Sequence, residues 1–214
     1  EIALRLYGID GSVIDKGIVL RGYKPGKRCI LVCQAEGALT YAKNVKKKIN
    51  KVCRAHKAMY IGGYPMKNRE HGRYADPYMR EDLDDYGVMV DTLESGVVWD
   101  NLHRLYEGVR GYIKSRERTV CMTHASHFYP QGTNLYFIFI SRMDDIEEYR
   151  QFQSGIIERI AAHGGSLSHH HGVGKMIGPW MAKHLGDQQM NVLRAVKNHF
   201  DPHGIMNPGG TLGL

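Results

Sequence analysis

The sequence predicts an α+β fold, a largely antiparallel sheet with helices packed on it. Three observations lead there. Residues 119–128 and 134–140 both read as strands, and the turn Tyr129-Pro130-Gln131-Gly132 between them is short enough for a hairpin. Apolar residues recur at helical spacing in several other stretches. The order is strand, helix, short strand, strand, helix, strand, strand, helix, which is not the regular alternation of a doubly wound parallel sheet.

Each element has its own signal. Residues 29–35 (Cys-Ile-Leu-Val-Cys-Gln-Ala) form a short apolar run that predicts a buried strand, ended by Glu36-Gly37. Leu39, Ala42, Val45, Ile49 and Val52 then recur at helical spacing and predict a helix over 38–57. A short strand or turn is expected at 59–61, before Gly62-Gly63-Tyr64-Pro65 breaks the pattern. Residues 68–76 are polar and predict a loop, and Pro77 suits the first turn of a short helix over 78–83.

Residues 86–93 predict a strand, and Val98, Leu102, Leu105, Val109 and Tyr112 mark one side of the helix after it. Residues 134–140 (Asn-Leu-Tyr-Phe-Ile-Phe-Ile) give the clearest strand. Alternation puts Leu135, Phe137 and Phe139 on one face and Tyr136, Ile138 and Ile140 on the other. Residues 144–163 predict a helix through Ile146, Tyr149, Phe152, Ile156 and Ile160. Two more helices are expected over 179–185 and 188–200, and turns at 201–204 and 207–210 close the chain.

At 214 residues the chain can bury one sizeable core. No apolar run approaches the length of a membrane span. The four cysteines, Cys29, Cys33, Cys53 and Cys121, form no C-x-x-C pair, so reduced thiols of a cytosolic protein are expected. The formal charge of +7 suits an anionic substrate, a membrane surface or nucleic acid. Lys43, Lys46, Lys47, Lys48, Lys51, Arg54 and Lys57 crowd one segment, which reads as a solvated helix face or a contact with anionic headgroups. No basic groove with interleaved aromatics occurs, so nucleic acid is not expected as a partner. Residues 1–7 carry neither a start methionine nor a signal-peptide pattern, and the expectation is a fragment of a longer protein.

The stretch richest in chemistry is Gly164-Gly-Ser-Leu-Ser-His169-His170-His171-Gly172-Val-Gly174-Lys175. Histidine titrates near neutral pH and serves as acid, base, metal ligand or anion partner. The flanking glycines allow tight turns and close approach to a ligand. Consecutive side chains point in different directions, so three neighbours are not expected to chelate one ion, and a catalytic or ligand-facing loop is the preferred reading. Arg73 and Arg80 can hold a carboxylate or phosphate bidentately, or form surface ion pairs with Glu81, Asp82 or Asp84. Tyr136 is either a core tyrosine or an active-site phenol. Asn207-Pro208-Gly209-Gly210 is a tight turn, with or without a cofactor against it. There is no P-loop and no His-Glu-x-x-His, and Gly172-Val-Gly174 lacks the third glycine of a dinucleotide fingerprint. Alone, these residues give an anionic ligand, acid–base chemistry and an unidentified partner group.

The 164–175 loop, with Pro179-Trp180-Met181, Leu193-Arg-Ala-Val-Lys197, Asp201-Pro202 and Gly204-Ile-Met-Asn207-Pro208-Gly209, resembles the C-terminal part of FAD-linked oxidases of the vanillyl-alcohol oxidase type. The triple histidine resembles the alkyldihydroxyacetonephosphate synthase branch; lactate and glycolate dehydrogenase relatives usually carry Glu-His-Gly there. Arg73-Tyr-x-x-Pro77-Tyr78-x-Arg80, Val90-Asp-Thr-Leu-Glu94 and Trp99 also match bacterial synthase-like members, so the resemblance runs from about Gly62 onward. Two departures stand out: Met176-Ile177 replaces a basic residue common in relatives, and Gly210 replaces the lysine of the usual Asn-Pro-Gly-Lys ending.

The resemblance implies that residues 1–214 are the ferredoxin-like substrate-binding cap, with 164–214 as its C-terminal segment. It implies FAD as cofactor, held mainly by a domain N-terminal to the cap, which becomes the cap's partner. The implied reaction exchanges the acyl chain of acyl-dihydroxyacetone phosphate for a fatty alcohol in ether lipid synthesis, with the flavin N5 as nucleophile and no net redox change. By position, Tyr136, His170 and His171 are implied as catalytic, with His171 the preferred acid–base group. Arg80 (for the departing carboxylate), Thr92 (in place of a serine) and His169 are implied as substrate-binding, and His170, Gly172 and Asn207 as cofactor-binding. A lipid phosphate or small carboxylate substrate, a homodimer, and a cytoplasmic enzyme peripheral to the membrane follow as expectations. Two alternatives stay open: an FAD-dependent dehydrogenase of a 2-hydroxy acid, and a standalone basic binding module.

Overall fold

Strand β3 (Gly132–Arg142) lies at the centre of the sheet, flanked by β1 (Val88–Val98) and β2 (Val120–Ser126) in the order β1-β3-β2. Both pairings are antiparallel, with Glu94 opposite Tyr136, Thr92 opposite Ile138 and His124 opposite Tyr136. The structure is a computed structural model and describes residues 9–63, 74, 78–143, 145–210, 212 and 214. The chain divides into two compact units, Glu1–Met79 and Arg80–Leu214.

In the second unit the strand alternation sorts the side chains as the sequence predicts. Leu135, Phe137 and Phe139 are buried, whereas Tyr136, Ile138 and Ile140 are half-buried on the other face. The buried set joins Leu93 and Val97 of β1 in one apolar core. Helices α4 (Leu102–Ser115) and α5 (Ile146–Ala162) cover it through Leu105, Val109 and Ile113 and through Phe152, Ile156, Ile157 and Ile160. Full burial of such side chains contributes roughly 1.5–3 kcal/mol each before entropy is counted. Helix α5 starts where it does because the Asp145 carboxylate accepts the Glu148 N–H at 2.8 Å.

Helices α6 (Gly174–Leu185) and α7 (Asp187–Phe200) follow the histidine loop and seat Ile177, Met181 and Met190 in the same core. Helix α3 (Tyr78–Asp84) precedes β1. Pro77 and most of the 68–76 segment lie outside the described residues.

Three boundaries differ from the sequence expectation by about a helical turn or more, while the other ends shift by one or two residues. Strand β1 runs on to Val98 instead of ending at residue 93, because Glu94, Ser95 and Gly96 keep their places in the ladder with β3. Helix α4 begins only at Leu102, since Val98 ends the strand and a 3-10 turn, Trp99–Asn101, intervenes. Pro179 lies inside α6 and does not start it. It lacks one intrahelical N–H, yet the helix persists because Ile177, Gly178 and Met181 are buried around it.

The first unit contains α1 (Val13–Leu20), capped by Ser12, whose hydroxyl accepts the Asp15 N–H, and α2 (Leu39–Ala55). Ile9 and Ile18 form a small cluster with Tyr23, Met59 and Ile61 against them. Helix α2 matches the expected span closely. The strand expected at 29–35 does not form, and 59–61 is not a strand either. Residues 29–35 are exposed or half-buried and have no ladder partner among the described residues, so an apolar run by itself did not make a strand. No helix among the described residues is long and apolar enough to cross a membrane.

Candidate active site

The site is built on the face of the sheet opposite α4 and α5. Alternation along β1 sends Thr92 and Glu94 to that face, and Tyr136 joins them across the ladder from Glu94. The histidine loop reaches this face by three anchors. Helix α5 ends at His163, after which the N–H groups of Gly164 and Gly165 return to Ala161 O and Ile160 O. Ser166 then clasps the outer edge of β1: its N–H donates to Gly96 O at 3.0 Å, and its hydroxyl accepts the Gly96 N–H at 2.8 Å. Leu167 is buried in the core.

Glu94 shapes the loop. Its residue is only 3% exposed. One oxygen, Oε1, accepts the backbone N–H groups of His169, His170 and His171 at 2.9, 2.5 and 2.7 Å. The other, Oε2, accepts Asn134 Nδ2 at 2.9 Å and lies 2.6 Å from His170 Nδ1 and 3.9 Å from His171 Nε2. Burial would raise the carboxyl pKa. The three backbone bonds, from His170, His171 and His169, and the nearby His171 imidazole overcome that and hold it at about 2 against an ordinary 4.5.

The imidazoles and their neighbours form a continuous group of rings. The Tyr136 ring stands edge-on to His171 with centroids 4.9 Å apart. His170 lies 4.5 Å from His171 and 4.6 Å from His127, and His127 lies 5.0 Å from His169. Tyr129 Oη is 3.2 Å from His169 Nε2. The His170 and His171 side chains remain 41% and 35% exposed. Beside His169 a cavity of about 470 Å³ opens between Val97, Val98, Tyr129, Gln131 and Gly165.

The structure thus brings together Tyr136, His169, His170 and His171, with Thr92 on the same face. Gly172 supports the loop: it takes φ +79°, and its carbonyl accepts the Ser168 hydroxyl at 3.1 Å. Arg80 and Asn207 are placed differently. Arg80 pairs with Asp91 at 3.8 Å, and Asp91 belongs to the helix-covered face, where Tyr149 and Gln153 of α5 donate to it. Burial, then the bond to Asp91, pushes the Tyr149 phenol far up. Asn207 lies in the C-terminal turn, which Asp201 organises by accepting from Lys197 and from the Ile205 and Met206 N–H groups.

The backbone curls around Glu94 Oε1 and draws the imidazoles into two overlapping groups, neither of which holds all three histidines. Donor atoms of Glu94, His170 and His171 lie within 4.8 Å of one another, as do those of His127, His169 and His170. The loop N–H groups of His169, His170 and His171 are engaged by Glu94. An anion at this face has to be met by side chains.

Glu94, His127 and Tyr129 were not singled out as site residues from sequence. For Glu94 a signal existed: it continues the Val90, Thr92 alternation toward the face that holds Tyr136. For His127 and Tyr129 the hairpin turn gave none.

Residues 9–211 match the family model described as FAD linked oxidases, C-terminal domain. The chain belongs to that family. It is 32% identical over 189 residues to an alkyldihydroxyacetonephosphate synthase of Dictyostelium discoideum, which covers 84% of this chain and 31% of the relative. The corresponding Caenorhabditis elegans protein is 28% identical, covering 86% of this chain and 33% of the relative. An FAD-linked oxidoreductase of Escherichia coli, YgcU, is also 28% identical, covering 85% of this chain and 41% of the relative. A solved structure of alkyldihydroxyacetonephosphate synthase superimposes with a TM-score of 0.59 at 26% identity, over 81% of this chain and 30% of that one. The chain spans about a third of the length of the curated relatives it matches. Membership in this family implies FAD as cofactor, bound largely by the N-terminal domain of such proteins. The exposed imidazoles and the phenol on one open face fit a flat, heteroatom-rich ring system laid against them.

Proposed function

We propose that this chain is the substrate-side part of an alkyldihydroxyacetonephosphate synthase-like enzyme, which replaces the acyl chain of acyl-dihydroxyacetone phosphate with a fatty alcohol. The observation that carries the reading is the Tyr136–His171 contact above a carboxylate-held triple-histidine loop, in a chain similar to such synthases over more than four-fifths of its length. Bound FAD would supply the electronic partner for the carbon skeleton.

The residues of the chain supply proton handling and charge. Taking a proton from the carbon beside a carbonyl needs a base that works near neutral pH, and an imidazole supplies one. Tyr136, whose ring meets His171, suits proton transfer at the same carbon or oxygen. In the exchange the acyl group leaves as a carboxylate, the alcohol oxygen forms the new bond to carbon, and the alcohol proton passes to a base. By its position in the family Arg80 is the arginine proposed for the leaving carboxylate, a role that requires it to turn away from Asp91 on the helix-covered face. Thr92 and His169 suit the substrate's polar end, and with the loop N–H groups engaged, the side chains are left to meet the phosphate. His170 and Gly172, and Asn207 at the C-terminal turn, are the positions proposed to face the cofactor. Substrates of this kind are consistent with an enzyme peripheral to a lipid surface.

A second reading, oxidation of a 2-hydroxy acid, is favoured by one observation: a 34% identical stretch of 70 residues in a glycolate oxidase subunit of Bacillus subtilis. One experiment separates the two. The full-length, FAD-loaded protein is given palmitoyl-dihydroxyacetone phosphate with labelled hexadecanol, and, anaerobically, lactate or glycolate. Labelled ether product with no net flavin bleaching supports exchange. Bleaching by the hydroxy acid without ether product replaces it with the dehydrogenase.

A further inference from the structure

The carboxylate beneath the loop does more than hold backbone. Oε2 of Glu94 lies 2.6 Å from Nδ1 of His170. An ionised carboxylate only accepts, so this nitrogen must carry the hydrogen. Nδ1 of His169 is 3.0 Å from that same Nδ1. The one hydrogen of His170 Nδ1 lies between the carboxylate and this nitrogen, so a neutral His169 turns its lone pair there and keeps its own hydrogen on Nε2, 3.2 Å from Tyr129 Oη. The tautomers of two histidines are thereby set in series from one buried group. His171 escapes this chain, because its Nε2 stands 3.9 Å from Glu94, beyond a hydrogen bond.

We propose that Glu94 is a positioning residue that locks His170 as the Nδ1–H tautomer and so presents the His170 Nε2 lone pair as the basic nitrogen of the site. The role resembles other arrangements in which a carboxylate fixes ring orientation and tautomer while leaving the second nitrogen for chemistry. The reactive base is then His170, where position in the family pointed first to His171. Its catalytic part rests on the exchange reaction proposed above; its structural part does not.

The neighbourhood makes the test specific. In Glu94→Gln the amide oxygen can keep the three backbone N–H groups, which turns the amide NH₂ toward His170 and Asn134. The Asn134 Oδ1 atom is buried without a partner, so its amide can rotate and accept. His170 Nδ1 must then accept as well, which moves its hydrogen to Nε2. The substitution keeps the loop and inverts the tautomer.

The experiment uses the full-length protein with ¹⁵N-labelled histidine, and long-range ¹H–¹⁵N spectra at a pH where the imidazoles are neutral. His170→Gln and His169→Gln assign the signals. The expected result is a pyrrole-type Nδ1 and pyridine-type Nε2 for His170, reversed in Glu94→Gln with an unchanged far-UV circular dichroism spectrum. An Nε2–H His170 in the parent protein, or identical tautomers in both proteins, overturns the proposal. Should Glu94→Gln fail to fold, the parent spectrum still decides. In the FAD-loaded enzyme Glu94→Gln should lower kcat by about 100-fold or more while KM moves little, and unchanged kcat with an inverted tautomer overturns the base assignment. A parent enzyme without exchange activity strikes the ether-forming reading alone, and the tautomers then still decide the role of Glu94.

Discussion

The Tyr136 ring meets His171 edge-on, with planes 83° apart and centroids separated by 4.9 Å. A pair in this geometry contributes on the order of 1 kcal/mol through ring contact alone. Tyr136→Phe keeps that contact and removes only the phenol. In the full-length protein the exchange activity proposed above should then fall by about 100-fold or more, with the thermal midpoint moving by no more than about 4 °C. Steady-state kinetics beside a melting curve measures both, and near-parental turnover removes Tyr136 from the chemistry.

Acid should loosen the histidine loop through Glu94. Its folded-state pKa of about 2 lies below the ordinary 4.5. The stabilisation is therefore fully present above about pH 4.5 and is lost as pH falls toward 2. A shift of that size corresponds to roughly 3 kcal/mol. Urea unfolding of the parent protein should weaken across this window by more than that of Glu94→Gln, which has no carboxyl to protonate there. Equal slopes in the two proteins would refute the assignment.

Gly165 sits where no side chain fits. A Cβ there would come 2.2 Å from Ser95 Oγ and 2.9 Å from Leu105 Cδ1. Ser95 and Leu105 are both fully buried, so neither can move cheaply. Gly165→Ala should destabilise the protein by about 1–3 kcal/mol, or more if the core shifts. Gly172→Ala meets open space and is strained only by its φ of +79°, which should limit the loss to about 1–2 kcal/mol. Chemical denaturation of the two variants side by side would show this order or contradict it.

Arg80 pairs with Asp91 at 3.8 Å and keeps a side chain 58% exposed. A pair this open contributes about 0–1 kcal/mol, so Arg80→Lys should leave stability nearly unchanged. A lysine cannot reproduce a two-pronged contact with a carboxylate. If the proposed exchange holds, the full-length protein should show a KM for acyl-dihydroxyacetone phosphate raised roughly 10-fold, since one such contact is of order 1.5 kcal/mol. Unaltered KM would detach Arg80 from the substrate.

Much of the fold could be read from local pattern because period-2 burial is a local property. Leu135, Phe137 and Phe139 alternate with Tyr136, Ile138 and Ile140, and the structure buries the first set. Residues 29–35 show the limit of that logic, since an apolar run becomes a strand only where another strand offers hydrogen bonds. The site was half legible. The histidines announced themselves by composition and Tyr136 by its face. Their convergence did not, because Glu94, the group that draws three successive peptide N–H groups inward, is 75–77 positions away along the chain. The site potential of His127 was hidden for the same reason, since its neighbours His169 and His170 come from a distant loop.

The Ser166 clasp on Gly96 and the grip of Glu94 on the loop also bear on portability. The twelve residues from Gly164 to Lys175 take their shape from a strand they do not contain. Transplanted onto another scaffold, or made as a free peptide, they would bring the imidazoles without the arrangement. In descendants of this protein, strand and loop must be inherited as one unit: a change at position 94 alters three peptide groups and one ring at once.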